Sequence, residues 1–271
     1  MRDTNKKFFF SMDVDYVRGT EAAIEGLVSF TEKHQLDTSF FVTGMFAKEY
    51  PEHVRLLGEG GYDLGVHGWD HGFGNSGEDF GNNSYDEQFK RLQDAKQAIE
   101  TVVGRSVVMN RNPNLWVSED TFKALSSLGI KLDSSVPSGR MVGRIRNWRY
   151  LTAPRRVYRP DSAALWKERD CGIVEVPPTA LGLPINLSAL RNIGEFVCYW
   201  LTRMVALRSD YILFYGHPGE YLLPEQIDFG GEDGGRHARG IGPHIYDLTE
   251  RYIRFVRGLG FQTAKLSAEI Q

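Results

Sequence analysis

Residues 8–15 read FFFSMDVD, an apolar run that ends in two aspartates, Asp13 and Asp15. Side chains alternate between the two faces of an extended strand, so carboxylates two residues apart point to the same side. Both can therefore reach one ion or one water molecule. The stretch predicts a buried strand with polar chemistry at its tip.

A second polar segment, residues 67–71, reads HGWDH. Its imidazoles, His67 and His71, share a side if the segment forms a helical turn. One carboxylate and two imidazoles are a common set of protein ligands for a catalytic divalent metal, and they leave a coordination position open for water. Together with the aspartate pair, this segment predicts a metal site.

Length and composition are typical of a sizeable α/β protein. The chain has 271 residues, of which 41% are hydrophobic, which suits one α/β barrel of about 250 residues or two smaller domains. We expect a single domain over residues 1–271. The net charge of −3, with Lys and Arg scattered among Asp and Glu, gives no electrostatic footprint for nucleic acid. Six arginines form a local basic cluster, which is either a solvent-exposed connecting segment or a binding patch for an anionic substrate or a membrane headgroup. They are Arg144, Arg146, Arg149, Arg155, Arg156 and Arg159.

The N-terminal residues lead into only three phenylalanines before Asp13, too short a run for a signal-peptide core or a transmembrane segment. We therefore expect a cytoplasmic protein. Cys171 and Cys198 lie in no close-spaced motif, which argues against a zinc ribbon or a disulfide framework. The longest apolar stretch, residues 196–207, is interrupted by Arg203. It reads as a buried or interface helix, with a helix lying on a membrane surface as the alternative.

Strand-like runs alternate with helical patterns along the whole chain. About seven such units predict a parallel sheet, and strands ending in polar residues predict a single distorted (β/α)7-type barrel with its site at the C-terminal rim. Residues 225–244 contain six glycines and predict a long loop near that rim, either a lid or a solvated loop. The expected strands are 8–12, 39–43, 62–66, 107–109, 130–132, 173–176, 211–215 and 261–266; the longest expected helices are about 118–128, about 187–207 and 245–259.

Six polar motifs follow one another at the predicted strand ends, and their order resembles the polysaccharide deacetylase family, the NodB-homology enzymes of carbohydrate esterase family 4. The resemblance runs from about residue 7 to residue 266. The separation of Asp13 from Asp15 by Val14 looks like the branch that contains intracellular deacetylase-like proteins and cyclic-amide hydrolases. The six motifs are Asp13-Val14-Asp15, residues 67–71, Arg111-Asn112-Pro113, Leu132-Asp133-Ser134-Ser135, Glu175-Val176-Pro177 and Gly216-His217-Pro218.

The resemblance implies a metal centre. In the family, the residues matching Asp15, His67 and His71 hold a divalent ion, usually zinc, although cobalt, nickel or manganese can serve. Such an ion lowers the pKa of a bound water toward about 7 and polarises an amide carbonyl.

The resemblance also implies roles around that centre. Asp13 matches the general base, Arg111 the arginine that pairs with this base, and His217 the histidine that protonates the departing amine. An unperturbed imidazole titrates near neutrality, which suits that last role.

Each of the other candidate site residues has both a functional and a structural interpretation. Asp133 either lies near the site or satisfies backbone groups in a turn, and Glu175 is either a site residue or a satisfied buried carboxylate. Either acid could tune His217. Trp69, Trp116 and Tyr221 are candidates for sugar stacking, with core packing as the alternative.

The expected function is that of a metal-dependent hydrolase. It would remove the N-acetyl group from an N-acetylated sugar of a poly- or oligosaccharide or its precursor, releasing acetate and a free amine. One alternative is hydrolysis of a cyclic amide, a ureide or a formamido sugar on the same fold, and another is a barrel that binds glycans without turnover. The expected partner is a carbohydrate, and a homo-oligomer is compatible with the sequence.

Overall fold

The structure is a computed structural model that describes residues 6–72, 77–141, 148–228 and 238–270. Arg144 and Arg146 of the basic cluster lie outside the described residues, as do residues 229–237 of the expected loop. The strands, in chain order, are β1 (Lys7–Val14), β2 (Thr38–Val42), β3 (Asp63–Val66), β4 (Met109–Asn110), β5 (Leu132–Asp133), β6 (Pro160–Asp161), β7 (Ala164–Glu168), β8 (Val174–Glu175), β9 (Ala180–Leu181), β10 (Leu183–Pro184), β11 (Tyr211–Gly216) and β12 (Gln262–Thr263).

The described α-helices lie between these strands. Single turns of 3-10 helix occur between them, among them Pro113–Leu115 and Pro218–Tyr221. The helices are α1 (Ile24–Lys33), α2 (Gly44–Glu49), α3 (Pro51–Glu59), α4 (Tyr85–Val103), α5 (Glu119–Ser127), α6 (Leu187–Ile193), α7 (Glu195–Ala206) and α8 (His244–Gly258).

Seven parallel strands form the central sheet in the order β11-β1-β2-β3-β4-β5-β8, and β12 also pairs with β1. The chain after β8 bridges the two ends of this order. Thr179 donates its N–H to the carbonyl of Leu213 at 3.3 Å and accepts from the Leu213 N–H at 2.8 Å. The sheet is thus a distorted (β/α)7 barrel, as the sequence predicts.

The alternation of β1 explains the two apolar cores. Phe8 and Phe10 pack in the outer layer that includes the helices, whereas Phe9 packs with Phe41 and Leu213 in a smaller cluster inside the barrel. Asp13 lies four residues after Phe9 and so shares its inward face. The apolar run of β1 therefore sets the direction in which the first aspartate points.

Several local expectations differ from the structure. The predicted helix at 187–207 is two helices, because Gly194 adopts a φ of 107° between them, a region that disfavours side chains with a Cβ. The strand expected at 261–266 is only Gln262–Thr263. The antiparallel pairs β6–β7 and β9–β10 and the short helix α2 were not predicted.

Two further observations concern helices. Ser84 and Glu87 form a capping box at the start of α4. Among the helices that the structure describes, none combines the length and the hydrophobicity needed to cross a membrane.

Candidate active site

Strand β1 places both aspartates of the first motif at the rim formed by the C-terminal ends of the barrel strands. Asp13 is the penultimate residue of the strand and is 3% exposed, and Asp15 directly follows the strand. The Oδ1 atom of Asp13 accepts a hydrogen bond from Nη1 of Arg111 at 2.7 Å. The carboxylate of Asp13 is therefore fixed by a buried ion pair.

Arg111 is fully buried, which is costly for a charged group unless it is paired and hydrogen-bonded. It donates to the hydroxyls of Ser11 and Ser134 at 2.9 and 3.0 Å in addition to Asp13. Its guanidinium also lies over the ring of Phe41, 4.2 Å from the centroid. These contacts fix the orientation of the guanidinium so that it faces Asp13.

Asp15, His67 and His71 form the group in the described residues that could hold a metal ion, with one ligand atom from each within 4.8 Å of the others. Oδ1 of Asp15 lies 3.3 Å from Nε2 of His67 and 3.9 Å from Nε2 of His71. Ligands about 2.0–2.2 Å from a tetrahedral zinc lie roughly 3.3–3.6 Å apart. The separation of Asp15 from His67 lies in this range, and the separation of Asp15 from His71 is wider.

The contact of Nδ1 of His67 shows which of its two ring nitrogens carries the proton. Nδ1 lies 2.7 Å from the carbonyl oxygen of Arg111. A carbonyl can only accept, so Nδ1 carries the proton and Nε2 presents its lone pair toward Asp15. Metal-binding histidines are commonly held in this way by a backbone carbonyl.

His71 reaches the group through an irregular loop and not through a helical turn of residues 68–71. Gly68 and His71 have φ angles of 70° and 59°, both in the left-handed region. A Cβ on Gly68 would also lie 2.7 Å from the carboxylate of Glu78. Glycine at position 68 is therefore required by both the backbone and the space.

Glu78 holds this loop from behind, and the sequence analysis missed it. Its side chain accepts the backbone N–H groups of Trp69, Asp70 and His71 at 2.6, 3.2 and 2.7 Å. Glu78 is only 7% exposed. The carboxylate thus fixes three successive peptide groups of the loop that carries His71.

The surroundings favour the ligating form of Asp15 and His71 but not that of His67, because a metal ligand needs an ionised carboxylate or a neutral imidazole. Burial opposes ionisation of Asp15, but the three neighbouring histidines outweigh it and lower its pKa. Burial and the two other imidazoles lower the pKa of His71 against the effect of Asp15. Burial opposes protonation of His67, but Asp13 and Asp15 raise its pKa overall.

Two of the proposed ligand atoms have no hydrogen-bond partner within the described ranges, and a bound cation would give each a partner. Oδ1 of Asp15 and Nε2 of His67 are buried and make no hydrogen bond with any described residue. Orphaned buried polar atoms are rare in native proteins. A cation between them would satisfy both, so the residues present fit a divalent metal.

His217 follows β11 and lies on the other side of Asp15, with Nε2 4.0 Å from Oδ2 of that carboxylate. Glu220 accepts from the backbone N–H of His217 at 3.0 Å and lies 3.3 Å from its Nδ1. Burial opposes protonation, but Glu220 and Asp15 raise the pKa of His217 to about 9. His217 is thus cationic near neutrality and faces the metal group.

Glu220 is a second residue that the sequence analysis missed. It also accepts from the hydroxyl of Ser188 at 3.0 Å, and Arg191 lies 3.3 Å from the same oxygen. Burial opposes its ionisation, but His217 and Arg191 keep its pKa low. The spacing of a glutamate three residues after His217 is that of a capping box, a signal that could have identified it.

Asp133 and Glu175 lie beside each other on adjacent strands. They are register partners of β5 and β8 and are both fully buried. Asp133 accepts from Asn110 and from the hydroxyl of Ser135, and Glu175 accepts from the backbone of Val136. Glu220, rather than either acid, contacts His217.

The aromatic candidates are packed into the protein. Tyr221 is 2% exposed, its ring lies 4.6 Å from that of Tyr246, and its hydroxyl pairs with Thr249. Trp69 lies directly against Gly44 of α2. Both side chains contribute to packing next to the rim.

Comparisons with known proteins agree with this fold. The family model described as polysaccharide deacetylase matches residues 3–132, which include the first three motifs. No curated protein matches the sequence significantly.

Similar solved structures share the fold at low sequence identity. A carbohydrate esterase family 4 pseudoenzyme from Bacillus anthracis has a TM-score of 0.59 at 11% identity, covering 98% of this chain and 66% of that one. The chain thus spans slightly less than two thirds of that protein. A peptidoglycan N-acetylglucosamine deacetylase has a TM-score of 0.57 at 12% identity, with 98% and 88% covered.

A third structure is the peptidoglycan deacetylase PdaC from Bacillus subtilis, a mutant form. It has a TM-score of 0.54 at 14% identity, and the match covers 98% of this chain and 91% of that one. The family match over residues 3–132 and the barrel fold make the chain similar to the polysaccharide deacetylase family, carbohydrate esterase family 4.

Proposed function

We propose that this chain, acting as one domain over residues 1–271, is a metal-dependent N-deacetylase of an N-acetylated sugar in a poly- or oligosaccharide or its precursor. The observation that carries the proposal is the pair of orphaned ligand atoms, Oδ1 of Asp15 and Nε2 of His67. They lie beside His71, close to a carboxylate that Arg111 holds. A metal group, an oriented base and a cationic histidine together support amide hydrolysis.

Asp15, His67 and His71 would hold one divalent ion, which would activate a water molecule and polarise the acetamide carbonyl. Two imidazoles and one carboxylate suit zinc best, and cobalt, nickel or manganese accept the same donors. The proposal therefore names zinc as the native metal.

Asp13 is the proposed general base, because Arg111 orients it and its charge acts on both His67 and His217. It takes one proton from the attacking water. The water oxygen bonds to the acetyl carbon, and the C–N bond then breaks.

His217 is the proposed general acid. Its raised pKa keeps it protonated at neutral pH, so it can give its proton to the leaving nitrogen. The products are acetate and the free amine of the sugar.

The test is acetate release by the zinc-loaded protein from N-acetylglucosamine oligomers, measured beside turnover of small cyclic amides and a formamido sugar. We expect acetate from the oligomers, and Asp13→Asn should reduce it by about 10²- to 10⁴-fold. Turnover of only the cyclic amides or the formamido sugar would contradict the assignment of substrate.

A second candidate is a barrel that binds glycans without turnover, because the B. anthracis structure above is described as a pseudoenzyme. Glycan binding with a full metal content and no hydrolysis of any amide would favour it. Against it, this chain retains the metal group, the Asp13–Arg111 pair and His217, which binding alone does not need.

A further inference from the structure

A groove outside the catalytic site separates α7 from the chain that follows β8. Its volume is about 360 Å³, within the range of small-ligand pockets. Trp200, Met204 and Leu207 form one wall, and Pro178 and Leu181 belong to the opposite one. None of the proposed ligands or catalytic residues lines it.

Large apolar side chains on and beside this groove are exposed to solvent. Phe196, Trp200 and Leu207 are 84%, 53% and 75% exposed. Their spacing of four and then seven residues places them along one stripe of the helix. Apolar side chains grouped in this way mark an interaction surface, whereas single ones are ordinary.

The same surface is locally basic, although the whole chain has a net charge of −3. Arg155 and Arg208 line the groove, and none of the lining residues that the structure describes is acidic. Arg203 is a further exposed cation on α7. The charge of this face therefore complements an anionic partner.

We propose that this face of α7 docks on an anionic lipid surface. Phe196, Trp200 and Leu207 would enter the boundary between headgroups and acyl chains, where amphipathic helices bury their apolar side. Tryptophan is favoured at that depth, because its ring is apolar and its N–H is polar. The arginines attract the lipid phosphates, and the groove accommodates an apolar chain.

The charge of the face also argues against a second copy of the chain as its occupant. A two-fold interface brings the same patch of both copies together. Both sides of such an interface would then carry the same positive charge, and like charges across an interface are unfavourable. A surface of lipid phosphates has no such conflict.

The experiment is co-sedimentation of the full chain with vesicles of phosphatidylcholine alone or mixed with phosphatidylglycerol. We expect binding to the mixed vesicles, weakened by salt because charges contribute. The triple variant Phe196→Ser, Trp200→Ser, Leu207→Ser should bind at least tenfold more weakly, and Arg203→Gln with Arg208→Gln should reduce the preference for phosphatidylglycerol. Leu223→Ser, which changes an exposed apolar residue outside the groove, should bind like the wild type.

A second readout is the emission of Trp200, which should shift to the blue when mixed vesicles are added. Trp200→Phe should remove the shift while metal content stays unchanged, which shows that the variant is folded. Equal sedimentation of the wild type and the triple variant would overturn the proposal. A dimer that forms without lipid and is lost in the triple variant would also overturn it, in favour of self-association.

Discussion

Glu220 contacts His217 at two atoms. Its Oε2 accepts a hydrogen bond from the backbone N–H of His217 at 3.0 Å and lies 3.3 Å from the imidazole Nδ1. The contact fixes the ring and leaves Nε2 facing Asp15 at 4.0 Å. A buried carboxylate at this position favours the protonated imidazole. Glu220 therefore acts on the reaction through His217 rather than by touching the substrate.

Glu220→Gln should change the pH profile of deacetylation. The pKa of His217 is raised to about 9 by Glu220 and Asp15 against burial, so the acid form persists until the pH approaches that value. Without the carboxylate of Glu220 the pKa falls, and the alkaline limb of kcat/KM should move to lower pH. The exposed Glu225→Gln is the matched control, and an unmoved alkaline limb in Glu220→Gln would remove Glu220 from this role.

Glu78→Ala should weaken metal binding without removing a ligand. The change deletes the acceptor for three backbone N–H groups next to His71, and loss of a group that supports a ligand typically costs about 10- to 100-fold in metal affinity. Competition with a zinc chelator measures the affinity. The exposed Glu59→Ala should keep wild-type affinity, and equal affinity in Glu78→Ala would show that His71 needs no such support.

Arg111→Gln should lower the free energy of unfolding by about 3–5 kcal/mol, because it leaves the buried carboxylate of Asp13 unpaired. Urea denaturation measures this, with the exposed Arg55→Gln as control. Adding Asp13→Asn should recover part of the loss, because the unpaired charge is then absent. Additive losses in the double variant would mean that the two side chains are not energetically coupled.

Glu175→Gln should stabilise the protein at alkaline pH. Burial and the adjacent Asp133 raise the pKa of Glu175 well above 4.5, so the folded state retains a proton that the unfolded state releases above that pH. Stability from this group is therefore complete below about pH 4.5 and declines as pH rises toward the folded pKa.

The amide of Glu175→Gln cannot ionise, so the free energy of unfolding at pH 8 should rise. At pH 4 the two proteins should differ little. Thermal unfolding at both values of pH measures this, and a gain of equal size at pH 4 would show that ionisation of Glu175 is not its cause.

Most of the six residues that carry the proposed chemistry were predictable because they lie at or just after the ends of strands. Asp13 shares the inward face of Phe9, and Arg111 and His217 follow β4 and β11, so a parallel sheet brings their side chains to one rim. The fold class followed from the same alternation of strand and helix.

Glu78 could not be predicted for a physical reason, whereas Glu220 stands at capping-box spacing from His217. The partners of Glu78 are backbone N–H groups, which exist in that arrangement only because Gly68 and His71 take left-handed conformations. No pattern of side-chain types reports such a loop. Asp133 and Glu175 were ambiguous because a buried acid pair and a site carboxylate both occur at strand ends.

The most direct test of the account is the metal content per chain in Asp15→Ala compared with Asp13→Asn, measured by elemental analysis after zinc loading. Asp15 supplies an orphaned ligand atom, whereas Asp13 is engaged by Arg111. We predict that Asp15→Ala loses the ion and that Asp13→Asn keeps about one per chain while losing turnover. One ion per chain in Asp15→Ala would contradict the assigned metal site.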